Sequence, residues 1–156
     1  MTDAQKELLQ EFQDFALTAA AGDALMERIA QRLHEKMTRY NWAGFYLVDP
    51  ADPGYLNVGP FAGSFTPNAR IAFGIGLCGA AASSGQVIVA QDVSTDPRYL
   101  PGSSMVKSEF VVPIFVGTKL VEELDVESYF VNTFTVEEQE FVEACANVVG
   151  KYMVKG

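Results

Sequence analysis

The sequence predicts an α+β fold: a mostly antiparallel sheet with helices from both chain ends on one face and a ligand pocket on the other. Three observations carry this. Helical periodicity is confined to residues 1–38 and 135–154. The stretch between them holds short runs rich in aromatic and β-branched residues, joined mainly by tight-turn chemistry. One long irregular segment, residues 91–108, interrupts these runs, and long loops of that kind usually carry function.

The first helix is marked by Leu8, Leu9, Phe12, Phe15 and Ala16, which form one stripe. Gly22-Asp23 breaks it, and Asp23 is expected to cap the second helix, whose stripe is Leu25, Met26, Ile29, Ala30, Leu33 and Met37. His34, the only histidine, sits at the edge of this stripe and reads as an ordinary boundary residue. Residues 42–48 and 55–63 are two strands of a hairpin, separated by Asp49-Pro50-Ala51-Asp52-Pro53-Gly54. Residues 71–73 form a short strand ending at Gly74, and the small, Ala-rich residues 77–84 make two turns of helix closed by Gly85. Residues 87–90 are a short buried strand. Residues 109–116 and 119–126 are strands flanking Gly117-Thr118. Thr135-Val136-Glu137-Glu138 has the pattern of a capping box and starts the last helix, with Phe141, Val142, Cys145, Val148, Val149 and Tyr152 on one face.

Composition narrows the function. The 156 residues are 49% hydrophobic and 20% charged, enough for one globular domain with a sizeable core. A net charge of −9 weighs against nucleic acid and anionic membrane surfaces as partners. No apolar run approaches the roughly 18 residues of a membrane span. The N-terminus lacks the basic start and apolar stretch of a signal peptide. Two cysteines cannot build a disulfide framework, and the expected compartment is a reducing cytoplasm. A lone histidine makes a His-rich metal site or a Ser-His-Asp triad hard to assemble, and neither metal nor cofactor is expected.

The literal match to G-x-G-x-x-G at Gly74-Ile75-Gly76-Leu77-Cys78-Gly79 lacks the long strand and full helix of a dinucleotide site, so its glycines read as structural. Cys78 lies at the start of the short helix, where the helix dipole favours thiolate; the competing reading is a small buried hydrophobe. Cys145 falls on the apolar stripe of the last helix and reads as core. Glu123, Asp125 and Glu127 share one face of a strand, and Glu109 opens the neighbouring strand. Glu123 reads as solvated. Asp125 and Glu127 are candidates for holding an ammonium or guanidinium group. Trp42 and Tyr46 share a face and are either core or one wall of a pocket. A two-residue turn at Gly117-Thr118 pairs Val116 with Lys119, hence Phe110 with Asp125, and would put Glu109 and Asp125 on opposite faces. A shared site therefore requires a three-residue loop or a β-bulge.

Five motifs in order carry a resemblance: Asn41-Trp42-Ala43-Gly44-Phe45-Tyr46-Leu47; Val58-Gly59-Pro60-Phe61-Ala62-Gly63; Phe73-Gly74-Ile75-Gly76-Leu77-Cys78-Gly79; Ser108-Glu109-Phe110-Val111-Val112-Pro113-Ile114; and Leu124-Asp125-Val126-Glu127-Ser128. Together they resemble the free methionine-(R)-sulfoxide reductases, single-domain proteins of the GAF fold. The resemblance implies one domain over residues 1–156, with N-terminal helices in 1–38, sheet and pocket in 41–128 and a C-terminal helix in 135–154. It implies substrate contacts at Trp42, Tyr46, Glu109 and Asp125, with Glu127 standing where the family has an aspartate. It also implies three cysteines, of which only Cys78 is present. Gly102 occupies the position of the nucleophile and Asn68 that of the resolving cysteine.

Sulfoxide reduction needs a thiolate that becomes a sulfenic acid and a second thiol that resolves it, and neither glycine nor asparagine supplies one. The expected function is therefore small-molecule binding by a catalytically degenerate relative. The alternatives are a reductase using Cys78 with an external thiol, and a purely structural or dimerisation domain. The expected ligand is a small amine-bearing molecule such as a free amino acid or methionine sulfoxide, preferred over a cyclic nucleotide, because Arg70 and Arg98 lie outside the motifs. A homodimer is expected, as GAF domains are often dimeric.

Overall fold

The computed structural model describes residues 1–155. The elements are α1 (Asp3–Ala16), α2 (Gly22–Lys36), β1 (Trp42–Val48), β2 (Tyr55–Gly63), β3 (Arg70–Ala72), α3 (Gly76–Ser84), β4 (Ile88–Ala90), β5 (Ser108–Val116), β6 (Lys119–Ser128) and α4 (Val136–Lys155). A short 3-10 turn, Val93–Thr95, begins the long loop between β4 and β5. The six strands form one sheet in the order β3-β2-β1-β6-β5-β4, and every neighbouring pair is antiparallel. α1, α2 and α4 form a helical layer against one face, while α3 lies against the other.

The helix ends follow from side-chain chemistry, with two departures from expectation. Thr2 caps α1 in a reciprocal box: its Oγ1 accepts from the Gln5 amide at 3.1 Å, and the Gln5 side chain accepts from the Thr2 amide at 2.9 Å. Asp23 does not cap α2. The cap is Ala21, which makes no side-chain bond, and Asp23 sits inside the first turn, where its charge still opposes the helix dipole. At α4 only half of the expected box forms. Thr135 Oγ1 accepts from the Glu138 amide at 3.3 Å, but the Glu138 carboxylate turns away to accept from Tyr40 Oη at 2.9 Å and Gln5 Nε2 at 2.7 Å. Glu138 thus ties α4 to α1 and to the segment entering β1.

The period-2 alternation of β1 assigns its residues. Ala43 and Phe45 face the helices, in a core with Phe12, Leu25, Ile29, Phe110, Leu124 and Phe141. Trp42 and Tyr46 face the other way, into a second cluster with Leu77, Cys78, Ala81 and Val111. β6 follows the same rule, with Leu124 and Val126 toward the helices.

The β5–β6 hairpin contains the irregularity that the site demands. The turn at Gly117-Thr118 has two residues, and Val116 pairs with Lys119 and Phe115 with Leu120. Ile114 then pairs with Glu122, so Val121 is an extra residue, a β-bulge. Beyond it Val111 pairs with Asp125 and Glu109 with Glu127. That single insertion returns Glu109, Asp125 and Glu127 to one face. Both strands run further toward the acids than the sequence suggests, to Ser108 and Ser128.

Candidate functional site

The cavity on the non-helical face is built from four directions. β1 supplies Tyr46; β5 and β6 supply Glu109, Asp125 and Glu127; the start of α3 supplies Cys78; and two loops bring Asn68 and Gly102. Seven sequence-predicted positions therefore converge on one space. The eighth, Trp42, does not border it. Its indole is fully buried behind Tyr46, stacked against Phe61 at 5.6 Å and Phe65 at 5.8 Å between ring centres. Trp42 supports the wall rather than forming it.

The backbone at the start of α3 is shaped by its glycines. Gly76 has φ +70°, and a Cβ there would lie 2.9 Å from Leu100 Cβ. Leu100 and Phe65 both line the cavity. Neither stood out in the sequence, because both sit in loops where no period marks an apolar residue as inward. Tyr46 Oη donates to the Asn68 carbonyl at 2.8 Å, and Asn68 Nδ2 donates to the Pro101 carbonyl at 3.5 Å. The two loops are thereby stitched together beside the acids, and the space left is about 20 Å³, room for about one water. Gly102 also borders an open groove of about 710 Å³ between the long loop and Val131.

The electrostatics are dominated by burial. Glu109, Asp125 and Glu127 are 5%, 1% and 6% exposed. Burial raises the pKa of all three, and for Asp125 the neighbouring Glu109 and Glu127 charges raise it further. Asp125 Oδ1 is buried with no hydrogen-bond partner. Cys78 Sγ lies 3.9 Å from Glu109 Oε2. Burial first, then the charges of Asp125, Glu109, Glu123 and Glu127, push the thiol well above its ordinary pKa. The helix dipole, which favours thiolate, is outweighed here.

Glu123 corrects its sequence reading. It is fully buried, and neither carboxylate oxygen has a partner. β6 is flanked by β1 and β5, and Glu123 lies opposite Tyr46 and Pro113 on the covered face, so no solvated face exists there. Neither candidate arginine enters the cavity. Arg98 is paired with Asp96 at 2.6 Å, and Arg70 with Asp49 and Asp52 while it stacks on Tyr55. His34 Nδ1 donates to the Tyr40 carbonyl at 2.8 Å, remote from the acids, and Cys145 is core.

This sheet order, with the cavity under a short helix and a long loop, defines a GAF domain. The GAF domain family model matches residues 22–153, and the chain belongs to that family. Within it the chain is related to the free methionine-R-sulfoxide reductases. It is 32% identical to free methionine-R-sulfoxide reductase of Escherichia coli over 117 residues, covering 75% of this chain and 68% of that one. It is 34% identical to Protein YtsP of Bacillus subtilis over 123 residues, covering 79% and 74%. Its fold superposes on the X-ray structure of free methionine-R-sulfoxide reductase from Neisseria meningitidis in complex with its substrate. That match has a TM-score of 0.89 and 29% identity over 97% of this chain and 90% of that one.

Proposed function

We propose that the chain acts as one GAF domain that binds a small amine-bearing molecule, a free amino acid or methionine sulfoxide, and does not reduce it. The observation that carries the reading is the convergence of Asn68, Cys78 and Gly102 on the same cavity as Glu109, Asp125 and Glu127. The recognition half of a reductase site is kept, and two of the three sulfur positions are not.

Reduction of a sulfoxide begins with a thiolate at the substrate sulfur. The sulfide leaves, the oxygen stays as a sulfenic acid, and a second thiol closes a disulfide with loss of water. In this cavity one thiol is present, and burial among carboxylates holds it protonated. An ammonium group supplies what the cavity lacks: a positive charge beside three buried acids, with Arg70 and Arg98 both engaged elsewhere. The Tyr46 ring adds an apolar wall for the rest of the molecule. Entry requires the loop around Leu100 and Gly102 to lift, which would join the cavity to the groove beside Gly102. The reading includes a cytoplasmic homodimer, drawing on the family's habit of pairing and on the two free cysteines. Among the described residues no helix is long and apolar enough to cross a membrane.

An NADPH-coupled thioredoxin assay on free methionine-(R)-sulfoxide tests the catalytic half. The expected result is turnover no faster than a control without protein. Thiol-dependent turnover that disappears in Cys78→Ser would replace this reading with a reductase that uses Cys78 and an external thiol.

A further inference from the structure

The cavity adds a sulfur to its acids, a donor that an amine does not need. Cys78 Sγ and one carboxylate oxygen each of Glu109 and Asp125 lie within 4.8 Å of one another, all buried. We propose that these three side chains form a site for one divalent cation of borderline softness, zinc being the simplest.

Geometry supports this. A tetrahedral cation sits about 2.3 Å from sulfur and about 2.0–2.2 Å from oxygen, which sets the sulfur–oxygen separation near 3.5 Å. The Sγ to Glu109 Oε2 distance is 3.9 Å, a few tenths of an ångström from that value, and all three donors lie within 4.8 Å of one another, so the side chains draw together around the ion. The space of about 20 Å³ accepts one ion or water without any movement of the loops, whereas an amino acid needs more room.

A second observation is independent of the donor count. Asp125 lines the cavity, and its Oδ1 is buried with no hydrogen-bond partner, an arrangement that calls for a cation or a proton. Glu127, paired across the strands with Glu109, lines the same space but is not among the three converging donors, which leaves the fourth position of a tetrahedral ion to water. The sulfur donor sets the metal class. A thiolate favours zinc or cobalt over magnesium or calcium, which take oxygen alone. Coordination displaces the thiol proton to solvent and leaves a sulfur–metal bond; no oxidant or reductant is involved. Nothing in the sequence spacing suggests this set, because its members come from α3, β5 and β6 and Cys78 is 31 residues from Glu109.

The inference shares the cavity with the proposed amine site but does not depend on it. The test is titration of the chelator-treated full chain with cobalt(II), followed by zinc competition. One equivalent should bind and give a near-ultraviolet sulfur-to-cobalt charge-transfer band, with magnesium giving no competition. Cys78→Ser should abolish the band and weaken zinc binding by more than the roughly 100-fold that losing even an outer-shell partner can cost. Cys145→Ala should keep the band. Asp125→Asn should weaken binding while retaining the band, which covers the case in which Cys78→Ser unfolds. No stoichiometric cobalt binding, or a band that survives in folded Cys78→Ser, would overturn the proposal. Calorimetry with a free amino acid on the metal-free chain separates the two readings. Amine binding without cobalt binding removes the metal site alone; cobalt binding without amine binding removes the amine site alone.

Discussion

Glu122→Gln should stabilise the protein most above neutral pH and by under about 1 kcal/mol near pH 5. Glu122 sits one residue before the cavity face of β6, but pairing with Leu47 and Ile114 places it on the helical side. It is 1% exposed, and its Oε1 has no partner. Burial first, and then the Asp23 charge, raise its pKa from 4.5 to about 7. The folded state therefore holds a proton that the unfolded chain releases between those values. Stability from this group is fully present below pH 4.5 and is lost as pH rises through 7. The interval from 4.5 to about 7 corresponds to roughly 3 kcal/mol as an upper bound. An amide has the shape of the protonated acid and does not ionise, so the variant escapes the loss. Urea unfolding of both proteins at pH 5, 7 and 8.5 measures it. The buried acids of the cavity titrate in both proteins, so the difference isolates Glu122. Equal stabilities at pH 8.5, or a variant weaker by more than about 1 kcal/mol at pH 5, would refute the buried, partnerless placement of this side chain.

Other substitutions probe the supports of the site. Gly44→Ala places a Cβ 2.5 Å from Phe61 Cβ and 2.6 Å from Trp42 Cη2, so it should cost about 1–3 kcal/mol and change the near-ultraviolet circular dichroism of the indole. Tyr40→Phe removes the bond to Glu138 but leaves that of Gln5 at 2.7 Å; chemical denaturation should show a loss of about 1–2 kcal/mol. The double variant Asn68→Cys, Gly102→Cys should gain slow thioredoxin-dependent turnover of free methionine-(R)-sulfoxide. A Cβ at Gly102 stands 3.0 Å from Phe65 Cε1, so the ring must shift and the rate will be low; a folded double variant with no turnover would show that these positions are not the missing thiols.

Much of the fold was legible because local chemistry and tertiary demand agree. β1 and β2 fall on the predicted residues, 42–48 and 55–63, where runs carrying Trp42, Phe45, Tyr46, Tyr55 and Phe61 meet a Pro- and Asp-rich turn. Gly85 takes the left-handed conformation expected of a helix C-cap. The bulge was legible by parity: a two-residue turn and a shared acidic site are incompatible without an extra residue. The failures share a cause. Asp23, Glu123 and the half-formed box at Thr135 were read from local pattern, but the outcome depends on what packs over them. Alternating acids look solvated until β1 and β5 flank their strand and the opposite face is covered. Glu138 looks like a capping partner until Tyr40 and Gln5, distant in sequence, claim its carboxylate. Trp42 and Tyr46 share a face by period, yet only the stacking of Phe61 and Phe65 separates the supporting ring from the lining one.

Calorimetry at pH 7.5 tests the central claim most directly, comparing a free amino acid and methionine sulfoxide with a cyclic nucleotide. The amine-bearing ligands should bind more tightly, and their affinity should fall as the pH is lowered and the acids of the cavity protonate. It should also fall in Asp125→Asn, whose side chain cannot supply the charge that an ammonium group requires. Cyclic nucleotide binding in the micromolar range, with none for the amino acids, would contradict the account and mean that the buried carboxylates do not form the recognition surface.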